Sequence, residues 1–262
     1  MVIRSKDNAR VKEWARLVAD PRERRRRGRV LIEGVHLVEE FLRLGRKPIQ
    51  LIVSEAALES ADICRVLEGS EMAPTLLTVA VFSRIADVEA PSGIAAEIVV
   101  EAMKFDPALS DGCIFLDGIQ DAGNVGAILR SAAAFGGTDA ILGPGCADPW
   151  SPKALRAGMG GQFYLRLMTS SDLIEDVRRF SGQIVCTVAR GGAPLESIEL
   201  VGRTGWIFGS EGAGVSDALA ARADRKATIS MSGRTESLNV AASAAICLYE
   251  RSRQISKRAA LS

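Results

Sequence analysis

Residues Gly112–Gly143, GCIFLDGIQDAGNVGAILRSAAAFGGTDAILG, read as one strand–helix–strand unit. The segment CIFLDGI, starting at Cys113, is apolar at successive positions rather than alternating ones, so it predicts a strand buried on both faces. NVGAILRSAAAFGG, starting at Asn124, predicts a helix of small residues closed by glycine. DAILG predicts the next strand. Two doubly buried strands joined by a helix imply a parallel sheet with helices on both sides.

The same alternation continues toward the C-terminus. SPKALRAGM predicts a helix with Ser151 as N-cap and Pro152 in the first turn. QFYLRLM, QIVCTVA, GWIFGSE and KATISM predict strands, while SSDLIEDVRRFSG and VSDALAARA predict helices. A last helix of small residues begins near Leu238. Toward the N-terminus, Asn8–Ala19 predicts a helix with Val11, Trp14, Ala15 and Val18 at helical spacing. GRVLIEG, IQLIVSE, TLLTVA and IAAEIVV predict strands, with VHLVEEFLRLG, closed by Gly45, and ADICRVLEG as helices. The expected organisation is a small α/β domain over residues 1–100, a linker over 101–111 and a larger α/β/α domain over 112–262.

Composition narrows the function. The 262 residues are 47% hydrophobic and 25% charged, ordinary for a globular protein with a real core. No run reaches the roughly 18–20 apolar residues that cross a bilayer, and MVIRSKDNARVKEW lacks the apolar region of a secretory signal. Five scattered cysteines without a C-x-x-C pair suit a reducing, cytoplasmic setting and argue against zinc. Net charge is only +1, but residues 1–29 hold 11 Lys and Arg against 4 Asp and Glu, leaving −6 for the rest. The run PRERRRRGR, Pro21–Arg29, is the densest part and suits contact with nucleic-acid phosphates, although such runs are commonly solvated arms.

In a parallel α/β sheet, ligands sit beyond the C-terminal strand ends. Three of these ends carry QDAGNVGAILR, EGAGVS and GRTESLN, where Gly, Asn, Ser, Arg and Glu converge. None is a dinucleotide loop. GPGCAD has Asp148 where a third glycine belongs, and GSEGAG has the wrong spacing, with Glu211 opposing a pyrophosphate. No P-loop is present. The single histidine, His36, is read as a core or boundary residue on an apolar helix face, which removes Ser-His-Asp and Cys-His chemistry. The candidate residues left are Asn124, Arg130, Glu211, Ser237 and Asn239.

In order and spacing, DGIQDAGNVGAILRSAAAFG, GWIFGSEGAGVS and ISMSGRTESLNVAASAAI resemble the three motifs of the SpoU (TrmH-type) RNA ribose 2′-O-methyltransferases of the SPOUT superfamily. The resemblance runs from about Gly112 to Glu250. More weakly, VLIEGVHLVEE resembles the small RNA-binding domain often fused ahead of the catalytic one. The family implies a deep trefoil knot, an exception to the rule against threaded chains. It also implies a homodimer, S-adenosylmethionine as cofactor, and methyl transfer to a ribose 2′-hydroxyl without a metal. The small residues of the last helix then reflect tight packing in the knot and at the dimer interface.

The resemblance also assigns roles. Arg130 lies beside the ribose, where binding phosphate and polarising the hydroxyl is a safer role than acting as a base, because arginine stays protonated. Asn124 fixes substrate or loop geometry, unless it merely caps its helix. Glu211 orients groups across the dimer interface, unless it is a solvated loop carboxylate. Ser237 and Asn239 face the site, unless they only cap the last helix. Gly209, Ile229 and Leu238 match cofactor-contacting positions, with Thr187 and Met231 as weaker candidates. The sequence departs from the family in lacking a proline before Asn124 and before Met231. Ribosomal RNA is favoured over transfer RNA because two-domain members mostly act on the former. A non-catalytic RNA-binding protein on the same scaffold is the rival reading. With aromatic residues at 5%, base stacking on a sheet is not expected; shape and phosphate contacts are.

Overall fold

The computed structural model describes residues 2–101, 103–233 and 236–260. Ala102 of the expected linker, Arg234 and Thr235 of the third motif, and residues 261–262 lie outside the described residues. The chain divides into two compact units, Met1–Ala102 with Trp150–Leu155, and Met103–Pro149 with Arg156–Ser262.

The first unit runs β1 (Val2–Ile3), α1 (Ala9–Ala19), α2 (Pro21–Arg27), β2 (Arg29–Glu33), α3 (Val35–Arg43), β3 (Gln50–Ser54), α4 (Ala61–Ser70), β4 (Thr75–Leu77), α5 (Val79–Phe82) and β5 (Ile94–Val99). Its sheet has the order β1-β4-β3-β5-β2, parallel among β1, β4 and β3 and antiparallel where β5 pairs β3 and β2. Asn8 caps α1, its side chain accepting from Arg10 N at 2.9 Å. Val11, Trp14 and Leu17 form the buried stripe against Leu31, Ile52 and Leu77. The buried Glu97 accepts from Trp14 Nε1 at 2.9 Å and from Arg29 Nη1 at 3.0 Å, so its charge is paired.

The basic run folds as a helix rather than an arm. Asp20 caps α2 by accepting from Arg22 N at 2.7 Å, Pro21 sits in the first turn, and Gly28, with φ +61°, closes it. Arg24 is buried, and its Nη1 donates to Leu17 O at 2.6 Å and Val18 O at 2.8 Å. It thus satisfies carbonyls that α1 leaves open in its last turn. Glu23 accepts from Arg26 and Arg27, which hold its carboxyl down at about 2. Replacing Arg24 by Gln is expected to cost about 1–3 kcal/mol of stability by stranding those carbonyls. A thermal melt unchanged from wild type would refute that capping role.

Three other expectations need correction. TLLTVA is a strand only to Leu77; Thr78 then opens α5, which buries Val81 and Phe82. In QFYLRLM, Gly161–Tyr164 form a 3-10 turn that opens on Gly160, at φ +85°, a backbone conformation no strand adopts, and the strand starts only at Arg166. His36 is exposed on α3, whose buried side is Leu37, Val38 and Phe41.

The chain continues with β6 (Gly112–Asp117), α6 (Ala122–Ala134), β7 (Asp139–Leu142), α7 (Pro152–Gly158), β8 (Arg166–Thr169), α8 (Leu173–Arg179), β9 (Gln183–Thr187), β10 (Ala193–Pro194), β11 (Thr204–Gly209), α9 (Asp217–Ala220), β12 (Arg225–Thr228) and α10 (Val240–Ala259). The second unit's seven-stranded sheet is all parallel, in the order β10-β12-β9-β11-β6-β7-β8. The central strands β6 and β11 are buried nearly throughout, as their continuous apolar runs require. β11 enters between β6 and β9, both earlier in the chain, and α10 packs along α6. The register sets Gly209 beside Asp117, Ile207 beside Cys186, and Ala227 beside Thr187, so four strands end at one edge.

Candidate functional site

That edge opens into a cavity of about 130 Å³. Thr187 from β9, Gly209 from β11, Ile229 and Met231 after β12, and Leu238 before α10 all line it, as do Glu211 and Ser237. Seven of the ten residues singled out from sequence therefore share one wall. The main-chain N–H and C=O groups of Ile229, Met231 and Leu238 make no hydrogen bond to another described residue. Gly209 is buried where a Cβ would overlap the Gly214 carbonyl and Val215 N.

At the rim, Asn124, Glu211 and Asn239 meet. Asn124 Nδ2 and Asn239 Nδ2 each donate to Glu211 Oε1 at 2.6 Å, and Asn239 Nδ2 also donates to Asn124 Oδ1 at 3.0 Å. Residues 87 and 28 positions apart from Glu211 thus share one carboxylate oxygen. Asn124 is not the helix cap, because Asp121 holds that position and accepts from Asn124 N at 2.9 Å, freeing the Asn124 amide. Asn239 does both jobs, its Oδ1 capping α10 through Ala241 N and Ala242 N at 2.9 and 3.2 Å. Glu211 is not an idle loop carboxylate, since its partners hold it within the same chain.

Arg130 stands apart. It is exposed on α6, pairs with no carboxylate among the described residues, and is not part of the cavity wall. Six residues past Asn124, it is about 9 Å farther along the helix axis and on another face.

Sequence reasoning missed Asp117, Val188, Ala189 and Ser243. Asp117, at the end of β6, accepts from Ser216 N at 2.8 Å and so anchors the loop carrying Glu211. Its signal was a carboxylate at a strand's C-terminal end. Val188 and Ala189 line the cavity directly after β9, where the strand-end rule points, while Ser243, a small residue within the third motif stretch, reaches it from inside α10. Cysteine chemistry finds no support: burial pushes the Cys186 thiol to about 11, Cys247 to about 12, and Cys113 well up. Among the described residues no group of His, Cys, Asp and Glu could hold a metal, and no helix is long and apolar enough to cross a membrane.

Comparison with known proteins matches both units. A model described as the SpoU rRNA Methylase family matches residues 112–249, and one described as an MRM3-like substrate binding domain matches residues 8–96. The chain is 31% identical over 249 residues to the 23S rRNA (guanosine(2553)-2′-O)-methyltransferase RlmP of Bacillus subtilis (strain 168), spanning 94% of this chain and 97% of that protein. A crystal structure of an RNA 2′-O ribose methyltransferase superposes with TM-score 0.82 at 29% identity, covering 97% of this chain and 99% of that one. The SpoU methyltransferase AviRb from Streptomyces viridochromogenes, in complex with the cofactor AdoMet, gives TM-score 0.82 at 26% identity over 95% and 100%. The chain belongs to the SpoU rRNA methylase family.

Proposed function

We propose that this protein transfers a methyl group from S-adenosylmethionine to a ribose 2′-hydroxyl of 23S ribosomal RNA. The observation that carries the reading is the single cavity lined by Thr187, Gly209, Ile229, Met231 and Leu238, with the Asn124–Glu211–Asn239 cluster at its rim. Residues 112–262 carry the transfer, residues 1–100 hold the RNA, and 101–111 link them. Ribosomal rather than transfer RNA is favoured because RlmP, a 23S rRNA enzyme by name, aligns with this chain across both units.

The cofactor supplies a methyl already activated on its sulfonium, which leaves alignment and proton management to the protein. Open main-chain groups of Ile229, Met231 and Leu238 hold the cofactor's polar edges, and the bare backbone at Gly209 permits close approach. Glu211, fixed by two amide donors, keeps the loops after β6, β11 and β12 in register around the reacting groups. Ser237, exposed at the cavity wall, offers a hydroxyl to the ribose. Holding the hydroxyl oxygen in line with the methyl removes several kcal/mol of entropic barrier, of the roughly 7–11 kcal/mol that ideal positioning can supply. Arg130 binds the adjacent phosphate and polarises the hydroxyl.

A homodimer accounts for Arg130's distance from its own cavity. α10 exposes Ile246 and Tyr249 on one side, a surface suited to a second copy, which would bring its exposed Arg130 to this cavity. The insertion of β11 between two earlier strands, followed by α10 packing on α6, supports the trefoil knot. The protein acts in the cytoplasm, where its ribosomal substrate is made.

The test is transfer of labelled methyl from S-adenosylmethionine to unmodified 23S rRNA and tRNA, with mapping of 2′-O-methyl sites. One new site in 23S rRNA is expected. Incorporation into tRNA alone would overturn the substrate, and no incorporation together with no cofactor binding would leave the rival reading of a non-catalytic RNA-binding protein.

A further inference from the structure

The run Arg22–Arg29 is not a uniform cationic surface, because most of its arginines have partners within the fold. Arg24 is buried against carbonyls of α1, Arg26 is bidentate on Glu23 at 2.8–3.1 Å, Arg27 bonds Glu23 at 2.9 Å and lies 3.5 Å from Glu13, and Arg29 pairs with Glu97 at 3.0 Å. Arg22 and Arg25 differ. Both are exposed and neither pairs with a carboxylate among the described residues. Three residues apart on a folded helix, their stems lie on one side, about 5–6 Å from each other.

We infer that Arg22 and Arg25 form a phosphate clamp for the ribose-phosphate backbone of the RNA substrate, with Arg26 held in reserve by Glu23. The inference rests on the reading that this chain acts on RNA, and it names which cations make the contact. The helix PRERRRR has no apolar residue beyond Pro21 to insert into a membrane, so a lipid surface is a poor partner. No aromatic ring is available there for stacking: Trp14, beneath Arg10, is buried and donates to Glu97. The clamp therefore contributes affinity and orientation without reading bases.

The experiment is the salt dependence of binding of the full-length protein to an unmodified 23S rRNA transcript. Each lost phosphate contact removes about 0.7–0.9 from the slope of log K against log salt, so the double variant Arg22→Gln/Arg25→Gln is expected to flatten it by about 1.4–1.8. Its cofactor affinity and melting temperature stay at wild-type values. Glu23→Gln should do the reverse: freeing Arg26 steepens the slope by about 0.7–0.9 and tightens binding at low salt. A gain of that kind cannot come from misfolding. A double variant with the wild-type slope, or a Glu23→Gln protein that binds no more tightly, overturns the clamp. The two readings fail separately. A flattened slope in a protein that transfers no methyl would keep the clamp and remove the enzyme, and transfer with an unchanged slope would do the opposite.

Discussion

Arg130→Ala is expected to bind S-adenosylmethionine with wild-type affinity and to transfer methyl groups about 100–1,000-fold more slowly, the usual cost of removing one preorganised electrostatic group. The first half follows from placement, since Arg130 contributes nothing to the cavity wall that Gly209, Ile229 and Leu238 build. The second half follows from elimination. The lone histidine is exposed in the first unit, and three of the cysteines are buried with raised pKa values. Arg130 is an exposed cation without a carboxylate partner among the described residues, on the same helix as Asn124. If the partner subunit's cavity is where it acts, two inactive variants should complement. In an equimolar mixture of Arg130→Ala and Asn239→Ala chains, half of the randomly paired dimers hold one cavity with both groups intact, so about a quarter of sites should work. Near wild-type turnover by Arg130→Ala would remove its role. Absence of recovery from a mixture shown to exchange subunits would place Arg130 and the cavity in one chain.

How far the sequence revealed this arrangement depended on whether the signal was local. Doubly buried strands such as Cys113–Leu116 and Trp206–Phe208 announce a parallel sheet without outside help, because only burial on both faces tolerates apolar residues at every position. Asn124, Glu211 and Asn239 could be nominated from their strand ends. That they share one carboxylate oxygen depends on β11 inserting between β6 and β9, and no local pattern encodes that order. The basic run failed as an arm for the opposite reason. Its charge hid an ordinary helix signature, with Asp20 as cap, Pro21 in the first turn and Gly28 at the end. Charge density says how many cations a segment has, whereas only partners such as Glu23 and Glu97 say how many remain free.

The three glycines of GSEGAG, indistinguishable by residue type, should respond very differently to alanine. At Gly209 the added methyl would overlap the Gly214 carbonyl and Val215 N, at the point where both loops line the cavity. Main chain must move to admit it. Overpacking of this kind costs about 1–3 kcal/mol, and at about 2–4 °C per kcal/mol for a domain of this size the melting point should fall by roughly 2–12 °C. Because the displaced atoms belong to the cavity wall, cofactor affinity should fall as well, by about 100-fold, equivalent to about 2.7 kcal/mol. Gly212 is the control: a methyl there meets no atom within 4 Å, so Gly212→Ala should bind and melt as wild type does. Gly214, at φ +70°, is strained by any side chain even though space is open around it, so Gly214→Ala should lose stability without a clash. Calorimetric titration with S-adenosylmethionine beside thermal melts separates the three. Affinity within threefold of wild type for Gly209→Ala would mean that the strand end yields freely and that close backbone approach is not what the cofactor requires.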